Sequence, residues 1–317
     1  MKVRFACLLC ALVVSASLAN GQTPSANSAG CATADFRAAH LEGKEMKFNM
    51  ILPADYAKGA ERRFPVLYLL HGFYGNYADW CTNSRLLDYA GAYEEIIIMP
   101  DGGNNWYVNS YSDSKARWED YIVDDLIGYV DAHYRTIASR QGRAIAGLSM
   151  GGYGALFLGL KHHETFAAVA SLSGVVAAAD LGRWDVQGQN QINSSHSQFY
   201  EDVRKTLAAD FGPVDNPARK SEDPFWWIRT LTPENCPQLY LAIGWGDSLL
   251  AENREFVAVL SELKMPYRYA EVPGKHEWKV WDEQIQRVLA VEAPVIGAQR
   301  SDSIEKFHML NENRGAE

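Results

Sequence analysis

Apolar residues recur along this chain in short unbroken runs, and most runs are followed by a segment where they recur every three or four positions. The runs are FPVLYLL (64–70), EIIIM (95–99), RAIAGL (143–148), FAAVASLS (166–173), QLYLAI (238–243) and YRYAEV (267–272). A strand that is apolar at consecutive rather than alternate positions belongs to a sheet covered on both faces. Between the runs, segment 117–134 sets Trp118, Ile122, Leu126, Tyr129 and Val130 on one helical stripe. Segments 152–163, 250–264 and 279–291 keep the same period. Such alternation predicts an α/β fold, a mostly parallel central sheet with helices on both faces. Upstream, ADFRAAHLEGKEMKFNMILP reads as two strands about a Glu42-Gly43-Lys44 turn, an opening hairpin.

One interval breaks the alternation. Residues 179–237 are polar, carry Trp184, Trp226 and Trp227, and have room for one or two short helices. An insertion of this length in an α/β domain reads equally as a lid-like binding element or as a surface excursion packed on its own aromatics. The domain proper is expected over 35–295, with a polar linker at 20–34 and a loosely held tail at 296–317. The first residues have the pattern of an export leader. Lys2 and Arg4 precede an apolar run from Phe5 to Val14, and Ser17-Leu18-Ala19 offers small residues for cleavage. A signal peptide of residues 1–19 is therefore expected, and with it a secreted or periplasmic protein. The run is too short for a stable membrane anchor.

Charge narrows the partners. A formal net charge of -9 argues against nucleic acid or an anionic membrane surface as the main partner. Cys7 and Cys10 leave with the leader, so Cys31, Cys81 and Cys236 remain, enough for one disulfide and one free thiol in any of three pairings. No cysteine–histidine spacing suggests a metal, and no cofactor is expected.

The chemistry gathers around GLSMG at 147–151, which fits G-x-S-x-G where the run RAIAGL gives way to the small-residue helix pattern GGYGALFLGL. A strand turning this sharply into a helix needs neighbours without bulk, and it leaves the Ser149 hydroxyl standing at the sheet edge. A serine hydroxyl needs a positioned base. Asp247 follows the 238–243 run and His276 follows the 267–272 run, so both fall at the same edge as Ser149. Alone, Asp247 would read as a helix cap and His276 as a solvated loop residue; with the serine turn they read as a catalytic triad. The LYLLHGFYGNYADW stretch supplies a glycine loop after the first parallel strand. Its Phe73 N–H and that of Met150 are the expected oxyanion donors, and His71 is expected to brace the loop. His133, His162, His163, His308, Glu252 and Glu277 are set aside on position.

Taken together, LYLLHGFYGNYADW, IIIMPDGGNNWYVNS, RWEDYIVDDLIGYVDAHY, RAIAGLSMGGYGALFLGLKHHETFAAVASLSG, GWGDSLLAENREF and GKHEWKVWDEQI resemble the putative esterase (esterase D-like) family of α/β-hydrolases. The resemblance covers most of residues 36–292 and implies the α/β-hydrolase fold. It implies Ser149 as nucleophile, His276 as base and Asp247 as its orienting acid, with Phe73 and Met150 as oxyanion donors. It also implies that Trp106 and Tyr107 line the acyl pocket. The expected activity is a secreted serine esterase acting on short-chain or aromatic (feruloyl- or acetyl-type) esters, small or attached to polysaccharide. An acyltransferase with the same triad, a thioesterase similar to S-formylglutathione hydrolases, and a non-enzymatic glycan-binding or scaffold protein are the alternatives. Oligomeric state and cysteine pairing stay open at this level.

Overall fold

The opening hairpin pairs β1 (Ala32–Ala38) with β2 (Lys44–Ile51) in antiparallel register from Ala32 opposite Met50 to Ala38 opposite Lys44. Glu42 and Gly43 both take positive φ in the turn. This computed structural model describes residues 30–180 and 197–301. The expected leader, most of the linker, part of the insertion (181–196) and the tail beyond Ser301 lie outside the described residues.

Six further strands follow: β3 (Val66–Leu70), β4 (Ile96–Pro100), β5 (Arg143–Leu148), β6 (Ala168–Leu172), β7 (Gln238–Gly244) and β8 (Tyr267–Val272). They complete one eight-stranded sheet in the order β1-β2-β4-β3-β5-β6-β7-β8. From β4 to β8 every pairing is parallel, and only the β1 and β2 edge is antiparallel. The unbroken apolar runs are explained by burial on both faces. Val66, Tyr68, Leu70, Ile96, Ile98 and Ile145 share one core with Leu156 and Phe157 of the Met150–Lys161 helix. Leu67, Leu69, Ile97, Ala144, Ala146 and Ala170 face the other way. They share a second core with Trp281, Ile285, Val288 and Leu289 of the Trp278–Ile296 helix. Each large apolar side chain among them contributes about 1.5–3 kcal/mol by leaving water. β8, at the sheet's edge, is only half-buried, in keeping with its more polar sequence.

Of the 117–134 stripe, Trp118, Ile122, Leu126 and Val130 are buried and Tyr129 is half-buried, but its backbone is not one uniform helix. A π-helical stretch, Tyr121–Leu126, separates Trp118–Asp120 from the Ile127–His133 helix. Two boundaries also shift. The sheet begins at Ala32, inside the stretch read as linker. At the other end the Trp278–Ile296 helix runs past 295, and the chain then docks beside the entry to β4. Glu94 N–H donates to Gln299 O at 2.8 Å and Ser301 N–H to Ala92 O at 3.1 Å. The described part of the insertion holds three helices, Ser197–Phe211, Pro217–Glu222 and Pro224–Ile228. Cys31 and Cys81 form a disulfide, tying the edge strand to the short Asp79–Asn83 helix, while Cys236 is free and buried. Among the described residues no helix is long and apolar enough to cross a membrane.

Candidate active site

Parallel strands place their carboxyl ends on one edge, and four loops meet there. β5 runs into Ser149, β7 leads to Asp247, β8 leads to His276 and β3 leads to His71. Ser149 sits between β5 and the helix in a backbone conformation of φ 53° and ψ -117°. For a residue with a side chain this is strained by about 1–3 kcal/mol, and such strain persists only where the surroundings fix it. They do. Ser149 N–H donates to Leu172 O at 2.9 Å, and Ser149 O accepts the Tyr153 N–H at 3.0 Å. The flanking glycines are demanded by space: a Cβ on Gly147 would stand 2.2 Å from Gly151 O, and one on Gly151 would stand 2.5 Å from His71 O.

The three expected side chains meet. His276 Nε2 lies 2.9 Å from Ser149 Oγ, and His276 Nδ1 lies 2.9 Å from Asp247 Oδ2. The Asp247 side chain is closed to solvent, whereas a third of the His276 side chain is open. Burial pushes the Asp247 carboxyl up, but the hydrogen bond and charge of His276, with the Leu249 N–H, outweigh it and hold the group below its ordinary value. An ionised Asp247 accepts the hydrogen bond of Nδ1–H, which keeps the ring proton on Nδ1 and leaves Nε2 as the acceptor facing the serine. Trp281 packs perpendicular to the imidazole, with ring centres 5.0 Å apart.

Beside the serine, a Cβ on Gly72 would stand 3.4 Å from Ser149 Cβ, so the loop that carries Phe73 packs against Ser149 at Gly72. Met150 is the first residue of its helix, and its N–H has no carbonyl one turn back. His71 braces this loop. Burial pushes its imidazole down, which keeps it neutral. Its Nε2 accepts the Gly102 N–H at 2.8 Å, which fixes the ring proton on Nδ1, where it is donated to Gly72 O at 2.8 Å.

Trp106 and Tyr107 differ from expectation. Trp106 is 1% exposed and Tyr107 is fully buried, so neither lines an open cleft. The Tyr107 ring fills the space left by Gly102 and Gly154, and its hydroxyl donates to His71 O at 3.0 Å. Trp106 stands behind Phe73, with ring centres 6.0 Å apart, and its indole N–H donates to Thr206 Oγ1 at 2.9 Å. Both support the loop that carries Phe73. Two contributors are invisible in the sequence, Tyr74 of that loop and Phe199 of the insertion, 5.8 Å apart by ring centres. No periodicity ties a turn residue to a polar insertion so far along the chain.

Among the described residues no cluster of three histidine, cysteine or acidic side chains is placed to hold a metal ion. The Cys236 thiol is pushed up to about 12 by burial and stays protonated, so it is no nucleophile.

Comparison with known proteins places the chain in a family. The profile of the family described as putative esterase matches residues 39–291. An acetyl esterase of Caldicellulosiruptor saccharolyticus is 28% identical over 221 residues, covering 69% of this chain and 79% of that protein. An esterase of Mycobacterium tuberculosis is 32% identical over 253 residues, covering 73% of this chain; the chain spans about half (52%) of that longer protein. Among solved structures, a ferulic acid esterase superposes with a TM-score of 0.62 at 25% identity, covering 84% of this chain and 98% of the other. The chain belongs to the putative esterase family, carboxylic-ester hydrolases of the α/β-hydrolase fold.

Proposed function

We propose that this protein is an exported serine esterase that cleaves short-chain or aromatic acyl esters through a covalent acyl-enzyme. The observation that carries the reading is the continuous relay from Asp247 through His276 to Ser149, with both links at 2.9 Å. In the first half-reaction Ser149 Oγ attacks the ester carbonyl while its proton passes to His276 Nε2. Asp247 stabilises the imidazolium that forms. The negative charge on the carbonyl oxygen is held by the Phe73 and Met150 N–H groups, which are in place before the charge develops. The tetrahedral adduct collapses, Nε2–H protonates the leaving alcohol, and the acyl group stays on Oγ. Water then enters, gives its proton to Nε2, and releases the carboxylic acid with Ser149 restored.

Acetyl and feruloyl esters are the substrates of choice because the similar proteins include an acetyl esterase and a ferulic acid esterase. Export is supported by the leader pattern of residues 1–19 and by the Cys31–Cys81 disulfide, since disulfides persist in oxidising compartments. The test is hydrolysis of p-nitrophenyl acetate and methyl ferulate by the purified protein and by Ser149→Ala. The variant is expected to lose several orders of magnitude in kcat with its melting temperature retained. Equal hydrolysis by the variant contradicts the proposal. Export is checked separately, by reading the N-terminus of protein recovered outside the cytoplasm.

A further inference from the structure

The loop that carries Phe73 contains a strained turn held from two sides, one of them the insertion. Gly75 N–H donates to Gly72 O at 3.0 Å, closing a four-residue turn, and His71 Nδ1–H donates to the same oxygen at 2.8 Å. Two donors hold the Gly72 carbonyl on the side of Gly75 and His71. In a planar trans peptide the N–H points opposite to the C=O, so this anchoring turns the Phe73 N–H away from that side. The aim of the donor depends on the turn.

The third residue of this turn takes positive φ, a conformation that glycine or asparagine ordinarily fills. Here it is Tyr74, at φ 63°. A tyrosine stays there only if held, and two separate segments hold it. Its N–H donates to Asn104 Oδ1 at 2.7 Å, and its hydroxyl donates to Asp202 Oδ2. Asp202 lies in the Ser197–Phe211 helix, where Gln198 Nε2 donates to its other oxygen at 2.9 Å and orients it. The Tyr74 hydroxyl is pushed up by this hydrogen bond and the Asp202 carboxyl is pulled down by it, as expected for a phenol donating to an ionised carboxylate. Phe199, one turn earlier in the helix, packs edge-on against both Phe73 and Tyr74, at 5.7 and 5.8 Å between ring centres. More than half of Tyr74 is nonetheless open to solvent. Its hydrogen bond therefore does little for the core and much for the local backbone.

We infer that the Tyr74–Asp202 hydrogen bond makes the Ser197–Phe211 helix a positioning element of the oxyanion loop, holding Tyr74 in its left-handed turn and so aiming the Phe73 N–H. The inference rests on the serine-esterase reading. Within it the insertion is not a mere excursion, because its helix acts through Tyr74 on transition-state stabilisation without touching the reacting atoms.

Three variants test it, with p-nitrophenyl acetate as substrate. Asp202→Asn and Tyr74→Phe both weaken or remove the charged hydrogen bond while leaving a bulky residue at positive φ. Each is expected to lower kcat about three- to tenfold, the rate equivalent of one modest hydrogen bond, with KM held within about twofold. Tyr74→Gly loses the same hydroxyl but takes the turn without strain. Its kcat is expected to recover above that of Tyr74→Phe, a rescue that a role in stability alone does not produce. Equal kcat in wild type, Asp202→Asn and Tyr74→Phe overturns the inference while leaving the esterase reading standing. A Tyr74→Gly variant as slow as Tyr74→Phe also overturns it. A wild-type protein without esterase activity overturns both.

Discussion

The Asp247 side chain is sealed from solvent at the very point where His276, 2.9 Å away, keeps a third of its own in water. The carboxylate acts from inside and the imidazole reaches the substrate from the rim. Replacing Asp247 by Asn keeps the shape but reverses the donor at this contact, so the histidine is offered the wrong tautomer. The expected result is a fall in kcat on the order of 10⁴-fold with KM little changed. Steady-state kinetics of Asp247→Asn checks it.

The same contact sets a pH dependence of stability. The folded Asp247 has a carboxyl pKa below its ordinary value of 3.8. Its contribution to stability is therefore present above that value and is lost as pH falls through the lower folded one. Thermal melts of wild type and Asp247→Asn are expected to converge as the pH is taken below 3.8. Curves that stay parallel from neutral to acid pH would show that the group carries no such linkage.

A pair of buried carboxylates gives the opposite sign. Glu95 and Glu292 are both buried, and neither Glu95 oxygen has a hydrogen-bond partner. Burial pushes Glu95 from 4.5 to about 8, and burial together with the Glu95 charge pushes Glu292 well up. Their neighbour Glu94 is also buried and lies 3.8 Å from Arg62. Between pH 4.5 and about 8 the folded chain holds more protons at Glu95 than the unfolded chain does, so stability falls as pH rises through that window. Glu95→Gln stays neutral throughout. It is expected to melt close to wild type at about pH 5 and several degrees above it near pH 8. A constant difference across that range would contradict the assignment.

Gly147→Ala tests the nucleophile turn without touching a reactive atom. Its new Cβ would stand 2.2 Å from a backbone oxygen, which cannot swing aside as a side-chain tip can. A loss of about 1–3 kcal/mol is expected, together with a fall in activity, because the turn that must shift is the one that presents Ser149. Urea denaturation with parallel kinetics measures both.

The disulfide closes a sequence separation of 50 residues between Cys31 and Cys81. Cys31→Ser with Cys81→Ser is expected to cost about 2–4 kcal/mol through the freed unfolded chain. Neither cysteine takes part in the hydrogen bonds that join Asp247, His276 and Ser149, so kcat at low temperature is expected to hold. Reductant should lower the wild-type melting temperature and leave that of the double variant unmoved.

How much of the molecule is legible in its sequence follows from what each signal reports. The runs 143–148 and 267–272 coincide with β5 and β8, because a run bounded by turn residues marks a strand directly. Ser149, Asp247 and His276 are legible for a related reason: each follows a strand end, and parallel strands share an edge. Tyr107 is misread because an aromatic residue in a loop looks the same whether it lines a pocket or fills one. The deciding fact, its ring lying against Gly102 and Gly154, is a tertiary contact. The Cys31–Cys81 pairing and the docking of residues 297–301 beside Ala92 and Glu94 are likewise long-range. The Tyr74–Asp202 contact is the extreme case, a link between an oxyanion turn and a polar insertion.

The most direct measurement is to mix the protein with excess p-nitrophenyl acetate, quench within the first turnovers, and weigh its peptides by mass spectrometry. With this activated ester, whose acylation is expected to outrun deacylation, an acyl-enzyme gives a burst of nitrophenol and one acetyl group on the peptide carrying Ser149, both absent from Ser149→Ala. An acetyl group elsewhere, or turnover by the variant at the wild-type rate, would contradict it.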